Sequence, residues 1–280
     1  MRSPVANSIA GAAIAAMLFC GPAARADTGS DPADLERTWE SARVYAPADT
    51  PPGFDETTGG GLATFLPSSD ADPGAVILYA HGCDGLSRIT DVTGRFLAQA
   101  GYLVIAPDSF ARETKPTSCD PASHRGGLHR AVLGWRHAEM QNAARHIAGL
   151  PALAELPLIL MGHSEGAITV ATVTGLPSAA RIVEGWTCHA GWPEYRGLNA
   201  PEGAPVLALV GENDPWFKSP VLTGDCGAFL DDTGGSRSIV YRAPDYRAGR
   251  HWLSGDRDVQ DEILDFIDRV LGQQGENDAG

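Results

Sequence analysis

The chain is short of positive charge. Its 280 residues hold 21 Lys and Arg against 35 Asp and Glu, a formal net charge of −14. So acidic a surface repels nucleic acid and anionic membrane, and neither is an expected partner. Long hydrophobic runs are also missing. The apolar stretch Ile9–Phe19 is too short to span a bilayer. It follows the single positive charge of Arg2 and precedes Ala24-Arg25-Ala26, whose small residues stand where a signal peptidase cuts. Residues 1–26 are therefore read as a signal peptide and the mature chain as exported, periplasmic or secreted, with no membrane attachment after cleavage. The leader takes two arginines and no acid with it, leaving 19 bases against 35 acids, a net charge of −16. Cys20 stands where a lipid-attachment cysteine could, but the bulky Phe19 before it breaks that pattern. There is no internal repeat. His124 and His129 stand without an acid or third histidine at metal-ligand spacing, so neither a metal nor an organic cofactor is expected.

Cysteine is scarce, with five in all and four after cleavage: Cys83, Cys119, Cys188 and Cys226. An even number in an exported chain permits two disulfides. Three pairings are possible and sequence does not choose among them. Cys83 with Cys119 and Cys188 with Cys226 is the working expectation, all four falling in predicted loops near strand ends; the alternative is a free Cys83 thiol at the edge of a site.

What is present is an ordered series of apolar runs. Ala75–Ala80, Gly101–Ala106, Leu156–Met161, Ala180–Trp186, Pro205–Val210 and Ser238–Ala243 read as strands. Asp91–Ala100, Gly127–Leu150, the stretch after residue 164 and Val259–Leu271 read as helices; in the second, Leu128, Val132, Trp135, Met140, Ala144 and Ile147 recur at three- and four-residue spacing. Strands alternating with helices imply an α/β fold with a mostly parallel central sheet and helices on both faces. Residues 27–60, rich in Asp, Pro, Thr and Gly, read as a loosely packed N-terminal arm. The main domain then runs over 61–280, its first strand near Leu62–Leu66.

Gly162-His163-Ser164-Glu165-Gly166 lies between a strand and a helix. In that context G-x-S-x-G is a turn that lifts a serine hydroxyl above the sheet edge, at the positive end of a helix. A bare helix cap would not require both glycines. Downstream, Asp214 follows the strand Pro205–Val210, and His251 falls in the last strand-to-helix loop. Ser164, Asp214, His251 is the chain order of the α/β-hydrolases. Asp214 could instead open a turn before Pro215, with Asp232 and Asp256 as reserve acids, and His251 could be an idle loop residue. His81-Gly82-Cys83-Asp84-Gly85 follows the strand Ala75–Ala80, where this architecture supplies an oxyanion donor; the backbone N–H groups of Cys83 and Glu165 are the candidates. His163, Trp192, Trp216 and Trp252 are candidates for the pocket wall, and Arg112 for a substrate carboxylate.

These pieces, together with Ala106-Pro107-Asp108-Ser109-Phe110, Gly211-Glu212-Asn213-Asp214 and Arg250-His251-Trp252, resemble the dienelactone hydrolase family of α/β-hydrolases from about residue 60 to the C-terminus. The resemblance implies the α/β-hydrolase fold and hydrolysis of a small-molecule ester. Founding members of that family use a cysteine nucleophile where this chain has Ser164, which points to a serine carboxylesterase of the wider family and detaches the dienelactone substrate from the fold. Two other uses of such a scaffold are a polyester depolymerase or acyltransferase on the same machinery, and a catalytically silent binding protein. Oligomeric state is not legible.

Overall fold

The structure is a computed structural model in which residues 29–69, 72–231 and 235–278 are described; the segment 1–26, expected to be a signal peptide, and the reserve acid Asp232 lie outside them. Eight strands form one sheet in the order β2-β1-β4-β3-β5-β6-β7-β8. The central strands β3 (Val76–Ala80), β4 (Leu103–Ala106), β5 (Leu158–His163), β6 (Ala180–Glu184) and β7 (Val206–Gly211), with β8 (Arg237–Tyr241) at one edge, run parallel. β1 (Arg43–Pro47) and β2 (Phe54–Thr58) are antiparallel additions at the other edge.

The continuous apolar runs are explained by helices covering both faces. Val76 and Leu78 of β3 face a core shared with α4 (Val132–Ala148) and α5 (Glu165–Thr172), whereas Ile77 and Tyr79 face one shared with α3 (Arg88–Gln99) and α6 (Arg257–Asp278). Side chains alternate across a strand, so covering both faces favours apolar residues at successive positions.

Three expectations are corrected. The N-terminal arm is not loose: within residues 27–60, α1 (Pro32–Glu40) buries Leu35 and Trp39, and β1 and β2 complete the sheet. No strand runs over Leu62–Leu66; Leu62–Phe65 is a single helical turn, α2, that buries Leu62. The helix expected from Gly127 begins at Val132, and Leu128 is exposed.

Candidate active site

Ser164, Asp214 and His251 sit at the C-terminal edge of the parallel strands. Ser164 directly follows β5 and adopts φ 58° and ψ −120° before α5 starts. A side chain held at positive φ is strained, and it persists only where the surroundings enforce it. Here the enforcement is the pair of flanking glycines. A Cβ at Gly162 would lie 2.2 Å from the Gly166 carbonyl oxygen, and one at Gly166 would lie 1.9 Å from that of Ala80. The turn fits against β3 only because both are glycine.

Asp214 follows β7 and is buried at 3% exposure. Its Oδ2 lies 2.7 Å from Nδ1 of His251, and Nε2 of His251 lies 2.8 Å from the Ser164 hydroxyl. With an ionised Asp214 accepting from Nδ1–H, the lone pair of Nε2 faces the serine. Asp214 Oδ1 also accepts the Trp216 N–H at 3.0 Å. The imidazole is boxed in by the Trp216 ring, stacked at 5.2 Å between centroids, by Phe217 at 5.7 Å and by His163, edge-on at 5.0 Å.

Glu184, the last residue of β6, braces the loop that carries His251. Its carboxylate accepts the N–H groups of Leu253 and Ser254 at 2.7 and 2.6 Å and the Ser254 hydroxyl at 2.9 Å. Its own carbonyl accepts the Ser164 N–H at 2.9 Å. Burial pushes the Glu184 carboxyl above the usual carboxylate range, against the pull of these donors. The next residue, Gly185, has φ 69°, and a Cβ there would lie 2.8 Å from the His251 carbonyl, so the loop can close onto β6 only over a glycine.

The turn after β3 is fixed from beneath. Arg136 of α4 donates to the His81 carbonyl at 2.7 Å and approaches Glu165 at 3.4 Å and Glu139 at 3.5 Å. Glu165 also accepts from the Ser118 hydroxyl, and Glu139 from Ser109 and Arg112. Cys83 is bonded to Cys119 and Cys188 to Cys226. Burial, with Arg136 adding to it, holds the His81 ring well below the ordinary histidine range and hence neutral.

A cavity of about 240 Å³ opens beside Ser164 and His251. Cys83 and Glu165 lie on its wall, as do Trp192 and Trp216. Three other sequence candidates fall elsewhere. Trp252 turns away, its Nε1–H donating to the Ser254 hydroxyl at 3.1 Å and its ring packed on Gly255. Arg112 is buried between Glu139 and Asp34 and cannot meet a substrate carboxylate. His163 lies behind the His251 ring rather than on the cavity wall. The reserve acid Asp256 pairs with Arg250 at 3.8 Å. Sequence reading passed over Trp186, Tyr195 and Phe217 of the wall, and over Arg136, Ser118 and Glu184. Only Glu184 carried a signal, as an acid at the C-terminal end of a strand at the site edge.

Residues 62–223 match the model of the dienelactone hydrolase family. No curated protein matches the chain. Among solved structures, TT1662 from Thermus thermophilus is similar at 20% identity and a TM-score of 0.52, over 71% of this chain and 90% of that one. A dienelactone hydrolase-like promiscuous phosphotriesterase from metagenomic libraries is similar at 16% identity and a TM-score of 0.50, over 83% of this chain and 98% of that one. At these identities the likeness is one of fold, an α/β-hydrolase architecture.

Proposed function

The chain belongs to the dienelactone hydrolase family, and from that premise we propose that it is an exported serine carboxylesterase. The observation that carries this reading is the continuous hydrogen-bonded line Asp214–His251–Ser164, at 2.7 and 2.8 Å, ending on a serine held at positive φ. In the proposed reaction Ser164 Oγ attacks the ester carbonyl while Nε2 of His251 takes its proton. Asp214 holds the imidazole and stabilises its charged form. The N–H groups of Cys83 and Glu165 receive the oxyanion, each worth about 3 kcal/mol if it acts like measured donors. His251 returns the proton to the departing alcohol, leaving an acyl-enzyme. Water then attacks the acyl carbon, His251 takes its proton, and Ser164 recovers it as the acid leaves.

Labelling by a fluorophosphonate probe tests the nucleophile. Labelling is expected in the parent and absent from Ser164→Ala with unchanged circular dichroism; a labelled alanine variant would refute the assignment. An unlabelled parent would leave the silent binding protein. Export is supported by the leader-like segment 1–26 and by the two disulfides. A mature N-terminus at Asp27 in the exported fraction is the expected result.

One observation favours a second reading, hydrolysis of polyester. Trp192 and Val221, at 38% and 51% exposure, place apolar surface at the cavity mouth. Release of soluble acid from an aliphatic polyester film separates this reading from one confined to soluble esters.

A further inference from the structure

Among the described residues, the cavity beside Ser164 carries no Lys or Arg on its wall. Arg125 and Lys218, chain neighbours of the wall residues Gly126 and Phe217, are exposed and lie off the wall, and three other cations of the surrounding elements are committed elsewhere. Arg136 is held by Glu165, Glu139 and the His81 carbonyl, and Arg112 by Glu139. Arg130 grips Glu194 through both oxygens while its guanidinium lies 5.3 Å over the Trp192 ring. Glu165, the one carboxylate on the wall among the described residues, is occupied by Ser118 and Arg136. An anionic group entering here would lose its water and meet no Lys or Arg on the wall, in a protein that is already net negative.

The walls that remain are flat and apolar. Trp186 and Phe217 pack edge-to-face at 5.6 Å on one side. On another, Gly127 passes so close to Trp192 that a Cβ would lie 3.2 Å from the indole. The cavity volume of about 240 Å³ is below the ~300–1,000 Å³ of sites that enclose drug-sized ligands.

We infer that this pocket selects esters whose bound portion is uncharged, apolar and no larger than one aryl ring or a short acyl chain, and rejects esters that carry a carboxylate there. The inference rests on the serine-esterase reading above and adds the substrate class to it.

The test uses two pairs of esters matched in shape and differing in charge: p-nitrophenyl pentanoate against p-nitrophenyl hydrogen succinate for the acyl side, and phenyl acetate against 4-carboxyphenyl acetate for the alcohol side. Active enzyme is first counted by fluorophosphonate labelling. In at least one pair the neutral ester is expected to exceed the anionic one by more than about tenfold in kcat/KM, the minimum for an unpaired buried charge. Val221→Arg, which adds a cation at the exposed rim, is expected to narrow that gap. Labelled enzyme with both gaps below about tenfold, or a gap that Val221→Arg leaves unchanged, overturns the substrate class while leaving the esterase reading intact. Absence of labelling removes the esterase reading and the inference with it.

Discussion

Nη2 of Arg136 donates to the carbonyl oxygen of His81 at 2.7 Å, while Nη1 lies 3.4 Å from the Glu165 carboxylate. One guanidinium therefore touches both segments that carry the proposed oxyanion donors, the turn holding Cys83 and the first residue of α5. A donor displaced by a fraction of an ångström loses most of its effect on a developing charge. Arg136→Met is expected to lower kcat by about 10- to 100-fold, a fraction of what losing a donor costs, with KM for a small ester changed less than about threefold. Arg136→Lys should recover part of kcat. Equal losses in KM and kcat, with no recovery by lysine, would refute the positioning role.

Glu184 invites a comparable argument for His251. Its carboxyl accepts three hydrogen bonds from residues 253 and 254. Glutamine keeps the shape but turns one acceptor into a donor, facing either the two N–H groups or a hydroxyl. Glu184→Gln is expected to cost about 1–3 kcal/mol of stability and to slow acylation by Ser164, read as a lower rate of fluorophosphonate labelling. A variant that unfolds earlier yet labels at the parental rate would show that Glu184 only braces the fold.

The parts of the site legible in the sequence are those that the α/β plan itself dictates. Strands covered on both faces appear as apolar runs, and their C-terminal loops hold Ser164, Asp214 and His251, so run order and motif were enough to expect these three side chains at one edge. Residues 32–58 were opaque because their burial is tertiary: Trp39 gains its cover by stacking on His146 of α4, and β2 is an edge strand with exposed Asp55 and Glu56. Arg136 and Glu139 were hidden for another reason. A charged pair on a helix reads as a solvated face, and the groups that bury this one, at residues 81, 109, 112 and 165, are remote in the chain. Arg112 shows the converse error, since an arginine near a predicted site edge says nothing of the carboxylates the fold will bring to it.

The two disulfides should divide their effects. Cys83–Cys119 joins the turn after β3 to the neighbour of Ser118, which bonds Glu165. Cys188–Cys226 joins the loop of Trp186 and Trp192 to the segment that follows Val221 and Leu222. They span 36 and 38 residues, so each is expected to stabilise by about 2–4 kcal/mol through loop closure. Replacing the first pair by serine should lower kcat more than it raises KM, and replacing the second should raise KM for apolar esters more than it lowers kcat. The same kinetic signature from both double variants would contradict this division.

His163 gives the pH dependence a definite sign. Its ring is buried against His251, its Nε2 lies 3.3 Å from the His251 carbonyl, and its Nδ1 has no partner. Burial, with the neighbouring His251 adding to it, holds its pKa at about 3 against an ordinary 6.5. Between these values the unfolded chain binds a proton that the folded chain refuses, so this group makes stability fall as pH drops below 6.5. His81 and His137 act in the same direction, while the raised carboxyls of Asp108, Glu165 and Glu184 act against it. A single substitution isolates one contribution from the others. His163→Gln keeps a donor toward the His251 carbonyl and removes the titration. Its unfolding free energy in urea, measured without reductant at steps from about pH 6.5 down to pH 4.5, is expected to fall less steeply than the parent's, by up to about 1.4 kcal/mol per pH unit. Parallel lines for the two proteins would mean that the buried ring accepts its proton as readily as a ring in water.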